Sequence, residues 1–256
     1  MTQEKVALER TDEGEEQARP AGPVQRYFQD SRNLLNSLIL VVPLFVIYQI
    51  GVLTTGGVQN GVDFVTGFLR FTVFEGNTLH YVFFNFGVLG ALGLTAWALS
   101  KKDRFNPKIL GFVILESTLY GFVLGGVIGT MLQSVGITSS LAVGEALGPM
   151  DNFVLSLGAG LYEELVFRLI LLGGSVWLIK NVAKIESVWA VIGAVVVTSL
   201  IFSGIHYTGS MADDFTLYSF AFRFVAGAIF AGLFWARGFA VAVYTHAIYD
   251  VFVLVF

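Results

Sequence analysis

Two adjacent acids, Glu163 and Glu164, stand shortly before Arg168 inside an otherwise apolar stretch. On an α-helix, positions 164 and 168 share a face and can pair, whereas Glu163 points about 100° away. One carboxylate is thereby committed to an ion pair and the other is left free. A free carboxylate held out of bulk water is what a general base for water activation requires. A buried salt bridge with a spare acid lining a helix contact fits the same pattern. Further along, Phe202 lies one helical turn below His206 and could wall a pocket for it, although a histidine at a helix end is also an ordinary interfacial residue. A third pair, His246 and Asp250, has i and i+4 spacing. Asp250 can then hydrogen-bond the imidazole or join it on a shared metal, and a self-satisfied polar pair reads the same way.

The surroundings of these groups set their value. The 256 residues are 55% hydrophobic and 13% charged, with a mean hydropathy of +0.73, whereas a soluble domain carries roughly 25% charged residues. A bilayer core takes about 20 mostly apolar residues per helix. Apolar runs near 34–53, 79–99, 109–135, 152–179, 188–206, 214–235 and 239–256 therefore predict seven membrane spans in an all-α, polytopic helical bundle. The segment 63–75 has Phe64, Phe68 and Phe71 at helical spacing but is short and holds Arg70. It reads as an interfacial helix, with an eighth, short or re-entrant span as the alternative. Residues 1–33 carry seven acids and five bases and read as a solvated tail without signal-peptide features. The domain layout is thus a polar tail over 1–33 and one membrane domain over 34–256.

Charge placement tests this layout, because short cytoplasmic loops retain Lys and Arg. Lys5, Arg10, Arg19, Arg26 and Arg32 precede the first span, Lys101, Lys102, Arg104 and Lys108 follow the second, Lys180 and Lys184 the fourth, and Arg237 the sixth. The intervening loops hold Arg70 beside Glu145, Asp151, Asp213 and Asp214. That alternation predicts a cytoplasmic N-terminus and an extracytoplasmic C-terminus. Gly121, Gly125 and Gly129 recur every four residues, a smooth stripe for close helix packing. No internal repeat is evident. The chain has no cysteine, which excludes a cysteine protease and thiolate metal ligation, and the net charge of −4 suggests no nucleic-acid partner.

An ionisable side chain inside a membrane costs several kcal/mol unless paired or hydrated, so each one points to function or to a partner. Glu116 and Arg223 read as partners of other buried charges, His80 as interfacial, and Tyr162 and Tyr249 as packing residues. Ser203 neighbours His206 but lacks the Gly-x-Ser-x-Gly context of a serine nucleophile.

The ordered set Glu163-Glu164 with Arg168, Phe202 with His206, and His246 with Asp250, each on its own apolar segment, resembles the CPBP family of intramembrane proteases, the CAAX proteases and bacteriocin-processing enzymes. The resemblance spans roughly 110–256, the expected catalytic core. It implies an endopeptidase in which Glu163 is the base and His206 helps hold the water. His246 would stabilise the oxyanion, with Glu164 and Arg168 orienting the site. Asp250 stands where an asparagine is often found, and an ionised carboxylate cannot donate to an oxyanion. It would be held protonated, fix the His246 tautomer, or ligate a metal. Glu163, His206, His246 and Asp250 are also a plausible nitrogen and oxygen set for zinc. A metal-free mechanism is the favoured reading, since neither histidine motif has a His-x-x-x-His pair.

The expected substrate is a membrane-anchored or exported protein cut near the bilayer. With the N-terminus inside, Glu163 lies about 16 Å below the outer surface at 1.5 Å per residue, so the site is expected to open toward the extracytoplasmic half. A proton- or ion-coupled transporter, and a non-catalytic regulator or immunity protein of the same fold, remain the rival readings.

Overall fold

A computed structural model describes residues 22–63, 67–138, 147–208 and 212–256. Residues 1–21 of the tail, Phe64 and Glu145 lie outside the described residues. The helices are α1 Pro23–Arg32, α2 Leu34–Thr54, α3 Thr78–Leu99, α4 Ile109–Ser134, α5 Pro149–Val182, α6 Val188–Ile205, α7 Leu217–Arg237 and α8 Phe239–Leu254. Helices α2 to α8 are close to the runs that hydropathy marks, whereas α1 lies within the stretch read as a solvated tail and is helical because Tyr27 and Phe28 on it pack against the bundle. Helices α2 to α7 are long and apolar enough to cross a membrane.

Local chemistry sets the ends. The Asn33, Asn77 and Thr216 side chains accept amide hydrogens in the first turns of α2, α3 and α7, groups that a starting helix cannot bond internally. Pro149 opens α5 at a position where its missing N–H costs nothing. Gly238, at φ +93°, makes the turn from α7 to α8, and a Cβ there would meet the Ser31 carbonyl oxygen at 2.6 Å.

Helix α8 differs from the expected seventh span. At 16 residues it rises only about 24 Å, less than the hydrocarbon thickness of about 30 Å. It is the central helix, with every residue from Ala240 to Ala247 buried, and it packs against α1, α2, α4, α5 and α7. Because protein surrounds it, the segment need not match the bilayer. Gly121 and Gly125 on α4 face Tyr249 of α8, so the glycine stripe serves the close approach that its spacing predicts. Segment Phe68–Val73 is six residues of π-helix, too short to cross a bilayer at about 1.5 Å per residue.

One end of the bundle is locked by a charge network. Arg237 at the end of α7 bonds both oxygens of Glu116 on α4, Nε to Oε1 at 2.6 Å and Nη2 to Oε2 at 2.9 Å. The hydroxyls of Tyr27 and Tyr120 donate to the same carboxylate, and the guanidinium lies 3.7 Å over Phe28. These contacts hold α1 across that end. Arg223 pairs instead with Asp213 and donates to the Tyr207 hydroxyl at 3.1 Å. Both charges flagged in the sequence thus have partners.

Candidate active site

The opposite end of the bundle gathers the other ionisable groups. Within α5, residues Ala159–Gly173 are wound as π-helix rather than α-helix, a rare winding that recurs at functional sites. The angular reading for an ideal α-helix is modified accordingly, yet Glu164 Oε1 still lies 3.1 Å from Arg168 Nη1. That Nη1 makes no aligned hydrogen bond, so the contact is an ion pair. Both side chains are almost wholly buried, and the guanidinium is sandwiched 4.2 Å from the Phe202 ring and 5.2 Å from Phe230. Arg168 is thus fixed by aromatic faces as well as by charge.

Gly160 brings α5 against α8. A Cβ at that position would lie 2.6 Å from the Ala247 side chain and 2.7 Å from the Ala247 nitrogen and Val243 oxygen. This approach allows the His246 Nδ1 to bond Glu164 Oε1 at 2.7 Å. The ring is stacked on Phe230 with centroids 4.5 Å apart. Asp250 Oδ2 stands 3.7 Å from His246 Nε2, beyond hydrogen-bond reach. The partner that orients the His246 ring is therefore Glu164 on a neighbouring helix, and the i and i+4 hydrogen bond suggested by spacing does not form.

His206 ends α6, where helix carbonyls lack amide partners. Its Nδ1 lies 2.8 Å from the Phe202 carbonyl oxygen. A carbonyl can only accept, so Nδ1 carries the hydrogen and a neutral ring presents the lone pair of Nε2. Phe202 walls the site as expected, edge-on to His206 at 5.2 Å and to His246 at 6.1 Å.

Glu163 is the meeting point. Its Oε2 lies 3.9 Å from His206 Nε2 and 3.8 Å from His246 Nε2, is buried, and accepts no hydrogen bond from the protein. Separations of 3.8–3.9 Å are too long for direct bonds but suit one water held at about 2.8 Å from each partner. All seven residues singled out by spacing, Glu163, Glu164, Arg168, Phe202, His206, His246 and Asp250, are joined to this cluster by the contacts given. Among the described residues no group of three or more His, Asp or Glu side chains closes into a metal-holding cluster. Glu163, His206, His246 and Asp250 are not joined into such a cluster, and no step below is routed through an ion.

Two contributors carried no signal in the sequence. Phe230 looks like any apolar residue of α7, and Asn60, in the loop after α2, donates from Nδ2 to Glu163 Oε1 at 2.8 Å. Asn60 lies more than a hundred residues from its partner and outside 110–256, in an Asn-Gly pair that reads as a turn.

A polytopic helical membrane protein with an unpartnered buried carboxylate oxygen between two imidazoles has the makings of an intramembrane hydrolase. Residues 147–252 match the family model of Rce1-like type II CAAX prenyl endopeptidases. The match is consistent with the CPBP family of intramembrane proteases and supports an intramembrane endopeptidase of the CAAX type. No curated protein and no solved structure matches the chain.

Proposed function

We propose that the protein hydrolyses a peptide bond near the membrane with water activated by Glu163 and His206. The observation that carries this reading is the unbonded, buried Oε2 of Glu163, 3.9 Å from His206 Nε2. A water between them donates one hydrogen to each. Glu163 takes a proton as the water oxygen attacks the carbonyl carbon, giving a tetrahedral intermediate. The oxyanion accepts from the Nε2–H of His246 in its imidazolium form, whose Nδ1–H donates to the Glu164 carboxylate, and from Asp250 in its protonated form. Glu163 returns the proton to the departing nitrogen, the C–N bond breaks, and a carboxylic acid and an amine leave. Oxyanion stabilisation of this kind contributes roughly 10²–10³-fold per donor.

The substrate class follows from position. The site lies at the bundle end that holds the loops after α2 and α6, whereas α1 and the Glu116–Arg237 pair occupy the other end. The clustering of Lys and Arg on the α1 side supports, by the positive-inside rule, a cytoplasmic N-terminus and a site in the extracytoplasmic half. A membrane-anchored or exported protein is the matching substrate.

Comparative proteomics of cells carrying wild-type or Glu163→Gln protein tests the reading. Proteins whose membrane-proximal termini are cut only by the wild type supply the substrate, and a peptide spanning the cut then serves as assay for purified enzyme. Equal processing by inserted, monodisperse Glu163→Gln protein refutes the assignment.

A further inference from the structure

The loop between α2 and the Phe68–Val73 segment reaches the candidate site through one side chain. Asn60 Nδ2 donates to Glu163 Oε1 at 2.8 Å, the oxygen that does not face the imidazoles. The amide's direction is set by its other end, because Asn60 Oδ1 accepts the Val62 amide hydrogen at 2.8 Å. An oxygen can accept from Val62 and an NH2 group cannot, so the NH2 end must face Glu163. The loop itself is tied down. Asn60 N–H donates to the Tyr48 hydroxyl at 3.2 Å, which donates to Asp63 Oδ2 at 2.8 Å. Tyr48 and Asp63 are wholly buried. Gly158, five residues before Glu163, leaves the space that this arrangement needs: a Cβ there would come within 2.8 Å of Asn60 Cβ and 2.6 Å of the Tyr48 ring.

We propose that Asn60 is a positioning residue that holds Glu163 Oε1, so that Oε2 is the oxygen presented to water between the imidazoles. The segment outside the matched family region thereby completes the site. A carboxylate free to rotate about its last torsion would exchange its two oxygens. With Oε1 held by a charge-assisted hydrogen bond, it presents one of them. This assignment rests on Glu163 as the base.

The test uses full-length protein in detergent or nanodiscs and the peptide identified by Glu163-dependent processing. Asn60→Asp keeps the shape and the acceptor for Val62 but replaces the donor with a second carboxylate. The expected result is a fall in kcat of roughly 10- to 100-fold, with KM within about twofold and a melting midpoint lowered by the contact between two carboxylates. Gly158→Ala, which displaces Asn60 without altering it, is expected to lower kcat with KM within about twofold and to lower the melting midpoint through overpacking against Tyr48, and it serves if Asn60→Asp does not fold. Wild-type kcat in either folded variant, alongside an inactive Glu163→Gln, overturns the positioning role alone. Full activity of Glu163→Gln overturns the base assignment and this proposal together.

Discussion

Substituting Gly160 with alanine probes the one helix contact on which the histidine geometry depends. The new methyl group would sit 2.6 Å from Ala247 Cβ and 2.7 Å from two backbone atoms of α8. Backbone atoms cannot rotate aside, so α5 and α8 must separate. Restoring an ordinary contact of about 3.4 Å requires a shift of about 0.8 Å. The Glu164 to His246 hydrogen bond, 2.7 Å in the structure, would lengthen to about 3.5 Å and cease to be one. Misplacement of reacting groups by about 1 Å costs on the order of 10²-fold in rate, and overpacking a helix contact costs about 1–3 kcal/mol of stability. The assay is peptide cleavage by purified enzyme normalised to folded protein, with melting in detergent alongside. Gly193→Ala is the control, since nothing lies within 4 Å of a Cβ there, and it is expected to behave as wild type. Gly160→Ala with kcat within threefold of wild type and an unchanged melting midpoint refutes the proposition that close α5–α8 packing sets the site.

Three further outcomes follow from the same geometry. Asp250→Asn is expected to retain cleavage within a few-fold, since an amide can donate to an oxyanion, whereas Asp250→Ala loses about 10²-fold; kcat of the two variants decides, and equal loss in both argues against a donor role. Arg168→Met removes the cation from a buried pair and is expected to destabilise by about 3 kcal/mol or more, read as a lowered melting midpoint, while Arg168→Lys recovers part of the loss. Treatment with a strong chelator, followed by metal analysis of the active protein, is expected to leave cleavage unchanged; activity lost on chelation and restored by zinc overturns the metal-free reaction.

Much of this protein is legible in its sequence because the bilayer simplifies the problem. A membrane span must be helical, since no water is present to satisfy its backbone, so apolar runs translate directly into α2 to α7. Ionisable residues within those runs are conspicuous because they are costly there. Glu163, Glu164, Arg168, His206, His246 and Asp250 could therefore be picked out one by one, and the Glu164–Arg168 pairing read from spacing along a single helix.

Spacing along a helix says nothing about what faces it from another helix. His246 has Asp250 four residues away, yet Gly160 lets α5 come close enough for Glu164 to take its Nδ1. Hydropathy showed an apolar run at 239–256, but only packing made it a short central helix set among α1, α2, α4, α5 and α7. Asn60 is the extreme case. Its residue type and its Asn-Gly context mark a turn, and its bond to Glu163 exists because Tyr48, Asp63 and the missing side chain of Gly158 hold that turn against α5. Residue chemistry and the low dielectric of the membrane determined which groups could act. Their convergence, and which oxygen of Glu163 is left unbonded, was decided by contacts between distant segments, which a one-dimensional pattern does not encode.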